Sequence, residues 1–193
     1  MDAITLVAAH TALLVVDVQE KLLPAMPTAE APRLLRAVDL LLDAADRFGL
    51  PTWVTEQYPS GLGATVPELR ARLETMARRP PVLAKTIFSA TGVPEVPTAL
   101  AASGARSVIV TGVEAHVCVF QTARDLARRG YHVHVPFDAV ASRDPACKQA
   151  ALALLASHGV TITTTETVVF DLLGDAASPH FRALSKLVRA LPG

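Results

Sequence analysis

A three-layer α/β/α fold around a six-stranded parallel sheet, order 3-2-1-4-5-6, is predicted by three features of this 193-residue chain. Short runs rich in Val, Ile and Thr alternate with helical patterns almost from end to end, as βαβ units with right-handed crossovers require. The runs are apolar on both sides, as strands covered on both faces should be. Gly104, Gly130 and Gly159 each close a helical pattern, where a C-terminal cap needs positive φ. No internal repeat, low-complexity tract or dividing linker interrupts the series, so residues 1–193 are expected to form one domain of this Rossmann type.

The first strand is expected at 12–18, where Leu13-Leu14-Val15-Val16 runs into Asp17. A helix over 31–48 repeats Leu and Ala at helical spacing and stops at Gly49-Leu50-Pro51. The second strand, 52–55, precedes a helix at 66–76, and the third, 82–85, precedes one at 96–102. The fourth, 107–111, is a β-branched run that breaks at Gly112, and a helix follows over 117–129 through Val119, Ala123, Leu126 and Ala127. Strands at 132–136 and 160–164 flank a helix at 145–158. A final helix, within 178–191, carries Phe181, Leu184, Leu187, Val188 and Leu191 as an apolar stripe. It either finishes the fold or docks on a second subunit, and the sequence leaves both open.

Eighteen basic and eighteen acidic residues cancel, and no basic stripe stands out, which argues against nucleic acid or an anionic membrane as partner. Hydrophobic residues make up 51% and the mean hydropathy is +0.36, yet no apolar run approaches the roughly eighteen residues of a membrane span. Buried strands and a subunit interface are the expected destinations of this surplus; related folds commonly form dimers or larger assemblies, and on that ground a homo-oligomer is expected. Only two cysteines occur, Cys118 and Cys147, with no CxxC pair, and the N-terminus has no secretory pattern; a reducing, cytoplasmic setting is expected.

In open α/β sheets, ligands bind beyond the carboxyl ends of the strands, where strand order reverses. Three reactive residues fall at such ends: Asp17 after the first strand, Lys85 closing the third, and Cys118 at the turn into the helix after the fourth. Each has a plain reading too: a cap, a solvated amine and a small buried hydrophobe. Together they make chemical sense. Asp17 can take the thiol proton as general base and return it. Lys85 and the unpaired N–H groups of a helix start can favour the thiolate. Backbone N–H groups of the 112–118 turn can receive an oxyanion.

These residues sit in Leu14-Val15-Val16-Asp17-Val18-Gln19, Ala84-Lys85-Thr86-Ile87-Phe88-Ser89 and Gly112-Val113-Glu114-Ala115-His116-Val117-Cys118-Val119. The chain resembles, over nearly its whole length, the isochorismatase-like cysteine hydrolases, the superfamily that includes nicotinamidases and N-carbamoylsarcosine amidohydrolases. Thr55-Glu56-Gln57-Tyr58-Pro59, Gly61-Leu62-Gly63, Gly174-Asp175 and Pro179-His180-Phe181 look closest to the isochorismatase-domain-containing subgroup. The resemblance implies that Cys118 attacks an electrophilic carbon, Asp17 shuttles the proton and Lys85 supports both charges. It also implies a cis peptide between Val113 and Glu114, which aims the Glu114 N–H, with that of Cys118, at the oxyanion. Nicotinamidases carry an Asp-x-His metal motif after the second strand; here the segment reads Glu56-Gln57-Tyr58-Pro59, with Tyr58 at the first histidine's place. No metal and no cofactor are therefore expected, and nicotinamide is not expected as substrate.

Gln19, Gln57, Tyr58 and Phe88 follow strand ends or motif positions and are candidates to touch substrate, or to be structural. His132 and His134 share a strand face and read as packing, and Cys147 as structural. The leading expectation is a metal-independent hydrolase of a small amide or related C–N bond. The alternatives are a non-catalytic binding or regulatory protein that retains the fold, and a redox sensor built on a low-pKa thiol.

Overall fold

The computed structural model describes residues 4–191. Its parallel sheet has seven strands: β1 (Thr11–Val16), β2 (Thr52–Gln57), β3 (Val82–Lys85), β4 (Ser107–Val113), β5 (His132–Pro136), β6 (Val140–Ala141) and β7 (Thr161–Thr163). The order is β3-β2-β1-β4-β5-β7, with β6 beside the end of β4. The sixth strand read from the sequence is β7, so the expected order holds with one short strand added. A two-residue strand has no readable pattern. It forms because the Thr111 hydroxyl donates to the Ala139 carbonyl and because Gly112 and Val113 pair with Val140 and Ala141.

The helices are α1 (Glu30–Phe48), α2 (Pro59–Leu62), α3 (Pro67–Thr75), α4 (Glu95–Ser103), α5 (Phe120–Arg128), α6 (Pro145–Ser157), α7 (Thr165–Leu173) and α8 (Phe181–Val188). α1 begins with Glu30 and ends with Arg47, charges that suit its dipole. Gly49 and Leu50 close it by donating to the carbonyls of Asp46 and Ala45. Asp144 caps α6 through the Ala146 N–H at 2.8 Å.

β1 shows why three layers form. Leu13 and Val15 point to one face, among Leu34, Leu41 and Ala45 of α1, Leu69 of α3 and Val168 of α7. Ala12, Leu14 and Val16 point to the other, among Val96, Leu100, Ala123, Leu126 and Leu155 of α4, α5 and α6. Burial of each such Leu contributes roughly 1.5–3 kcal/mol, so both faces of β1 anchor a helical layer.

Three sequence expectations are corrected. β1 ends at Val16 and not at residue 18, because Asp17 turns out of the strand with φ 55°. No element was expected over residues 165–173, directly after the last strand, where α7 forms. Its Thr-rich start favours extended chain locally, but the Thr164 hydroxyl caps Thr167 N–H and Val168, Val169, Leu172 and Leu173 bury one helical face. α8 is shorter than 178–191, and it packs Leu184 and Val188 on Leu40 and Ala44 of α1 and on Val169 and Leu173 of α7.

Candidate active site

β1 and β4 are neighbours in register, with Val16 opposite Gly112, at the point where strand order reverses. A Cβ at residue 112 would lie 1.9 Å from the Val16 carbonyl oxygen, and Gly112 has φ 115°, so only glycine lets the strand ends approach this closely. Beyond it, the Val113–Glu114 peptide is cis. A single π-helical turn, Ala115–Val119, then carries Cys118 before α5 begins. The Glu114 carbonyl accepts from Val117 and Val119, and its side chain accepts from the Arg143 N–H at 3.0 Å, which ties this turn to the segment after β6.

Asp17, Lys85 and Cys118 converge, at 0%, 4% and 5% exposure respectively. Lys85 Nζ donates to Asp17 Oδ2 at 2.6 Å, to Gln57 Oε1 at 2.7 Å and to the Phe88 carbonyl at 3.0 Å. The Thr55 hydroxyl donates to Asp17 Oδ1 at 2.7 Å, and the Asp17 N–H to the Thr55 carbonyl at 3.0 Å. The Cys118 sulfur faces Asp17 and Lys85, near enough for the carboxylate and the ammonium to act on its ionisation. An ion pair this deeply buried is held by its extra hydrogen bonds, and losing one partner typically costs about 3–5 kcal/mol.

The sequence led to a thiol with a depressed pKa. The structure reverses that: burial, and next the Asp17 carboxylate, push Cys118 up to about 12, against the opposing pull of Lys85. Asp17 itself is raised above the usual carboxylate range, by burial, even though Lys85 and Thr55 act to lower it. The resting site therefore holds a protonated thiol beside a carboxylate able to receive and return a proton.

The four candidate substrate residues separate into two pairs. Gln19 is fully buried and braces backbone: its Nε2 donates to the carbonyls of Gln57 and Gly63, and its Oε1 accepts from the Gln57 N–H at 2.7 Å. Gln57 is also buried and bonds Lys85 and the Thr86 carbonyl. Tyr58 and Phe88 are 55% and 50% exposed, at the ends of the β2 and β3 connections. A cavity of about 690 Å³ runs along β3 and is lined by Tyr58, Leu83, Lys85, Ile87 and Val93, whereas Asp17 and Cys118 do not line it. Among the described residues, no three of His, Cys, Asp and Glu are grouped so as to hold a metal ion. Cys147, near the start of α6, lies 3.6 Å from Asp144 Oδ2.

Sequence reasoning missed Thr55, and it left Gln57 open between a substrate contact and a structural role. The signal was present in the strand period. Residues 55 and 57 share one face of β2, the strand between β1, after which Asp17 comes, and β3, which Lys85 closes, so their side chains can bridge the gap.

The isochorismatase domain family matches residues 11–167. The Salmo salar isochorismatase domain-containing protein 1 is 39% identical over 186 residues, 96% of this chain and 63% of that protein, so the chain spans under two thirds of that relative's length. The Caenorhabditis elegans MAR1 ribonuclease structure superimposes with a TM-score of 0.89 at 37% identity, over 98% of this chain and 95% of that one. The Escherichia coli YcaC product, described as an octameric hydrolase of unknown specificity, gives 0.84 at 26% identity over all of both chains.

Proposed function

The chain belongs to the isochorismatase family, which places it on a hydrolase fold, and from that premise we propose a metal-independent cysteine hydrolase of a small amide or related C–N bond. The observation that carries this reading is the burial together of one thiol with a carboxylate–ammonium pair whose charges act on it. Cys118 attacks the carbonyl carbon as its proton moves to Asp17, so the thiolate exists only while the C–S bond forms. The N–H groups of Glu114 and Cys118 receive the oxyanion. Asp17 returns the proton to the leaving nitrogen, the C–N bond breaks, and a thioester remains. Water then adds with Asp17 again as base, releasing the acid and the thiol. Lys85 keeps the ionised carboxylate in place through each proton transfer, and the exposed Tyr58 and Phe88 are the side chains we assign to substrate contact.

A nucleophile only 5% exposed favours a small substrate. The ribonuclease name of the C. elegans neighbour points instead to RNA, but equal numbers of acidic and basic residues supply no strong field for a polyanion. The description of YcaC as octameric supports a homo-oligomer here. Among the described residues no helix is long and apolar enough to cross a membrane, and a cytoplasmic setting remains our reading of the cysteine usage.

The test is ammonia or amine release from a panel of small primary amides and ureides. Turnover is expected to vanish in Cys118→Ala and to fall by about 10²-fold or more in Asp17→Asn. A thioester-mass adduct on Cys118 should be visible during turnover. Hydrolysis that survives Cys118→Ala would defeat the proposal.

A further inference from the structure

We infer that Gln57 is a positioning residue that acts through Lys85: its amide oxygen holds one ammonium proton and so limits how much of that ammonium reaches Cys118. The inference deepens the proposed triad and rests on it. An ammonium has three protons. In Lys85 each is given to one acceptor: Asp17 Oδ2, Gln57 Oε1 and the Phe88 carbonyl. The Cys118 sulfur, which the Lys85 charge reaches, must therefore compete for one of these protons when it ionises, and Gln57 is the competitor that is neither ionic nor backbone.

The orientation of the Gln57 amide is chemically unambiguous. One end meets an obligate donor, Lys85 Nζ, and the other meets an obligate acceptor, the Thr86 carbonyl at 2.7 Å. Its backbone is clamped on both sides by Gln19, so the side chain starts from a fixed point. Because the amide is neutral, it holds the ammonium without adding charge to a pair that already balances. The charged groups facing Cys118 are Asp17 from the end of β1 and Lys85 from β3. From β2, Thr55 and Gln57 present neutral groups to that pair. On the remaining elements Glu114 faces Arg143, Lys148 of α6 faces Glu30, and Arg124 of α5 faces Asp125.

The experiment follows iodoacetamide alkylation of Cys118 by intact mass against pH, in a Cys147→Ser background that leaves it the one thiol, and needs no substrate. Gln57→Met keeps the volume and removes the competing acceptor, so alkylation at a fixed alkaline pH should be about tenfold faster, one pK unit. Gln57→Glu adds a negative charge and a stronger competitor, and should be about tenfold slower. Opposite signs are the mark of a positioning role, since mere structural damage would move both variants the same way. Equal signs, or no change in either, would overturn the inference. Should Gln57→Glu fail to fold, Gln57→Met decides alone: acceleration supports the inference, and unchanged or slower labelling ends it. Lys85→Met, run alongside, separates the two levels. If it does not slow Cys118 labelling, the triad reading falls and the inference falls with it. If it does, a wrong result at Gln57 removes the inference alone.

Discussion

Cys118 ionises well above neutrality because burial and the Asp17 carboxylate outweigh the Lys85 ammonium. That has a thermodynamic consequence. The unfolded thiol loses its proton near 9.0 and the folded one near about 12, so between these values the native state binds more protons. Stability from this group is intact below pH 9 and falls as pH rises, by up to roughly 1.4 kcal/mol per unit. Urea unfolding at about pH 8 and about pH 10.5 should therefore show a steeper alkaline loss in wild type than in Cys118→Ala. Equal losses would mean that the thiol is solvated. At this scale Asp17, Lys85 and Cys118 were legible as residue types at strand ends. The direction of the thiol shift was not, because desolvation depends on what covers a residue, and the covering residues lie far away in sequence.

The end of β4 is the element on which the site depends. Gly112 brings β4 against β1, and the π-helical turn then carries Cys118 back over Asp17. Gly112→Ala forces a Cβ into the Val16 carbonyl. We expect a loss of about 3 kcal/mol or more by chemical denaturation, together with loss of turnover. A fully stable, active variant would show that the approach of the two strands can relax. The glycine at this break was readable from the sequence, and so was the helix beyond it. The turn between them was not, since a single π-helical turn has no composition of its own. α7 failed for a related reason: Thr, Val and Phe favour strands locally, and only the apolar surface of α1 turns them into a helix.

For the whole molecule, the free edge of the sheet deserves a solution measurement. Among the described residues β3 pairs only with β2, and Tyr58, Val82, Ile87 and Phe88 are exposed near it, with Lys85, the one charge of the strand, turned inward. Uncovered apolar edges are interaction sites, and a second copy related by a two-fold axis covers such an edge self-consistently. Sedimentation should give a species larger than the 20.4 kDa chain, and Val82→Glu with Ile87→Glu should weaken assembly by about tenfold or more. A wild-type monomer at micromolar concentration would reject this. By itself the sequence determined the layers, the strand order and the three reactive strand ends, because periodicity and glycine placement are local properties. Tertiary structure alone decided which partners hold Lys85, that the thiol rests protonated, and that β6 and α7 exist. Each of these depends on burial and contacts between segments that meet only when the sheet is assembled.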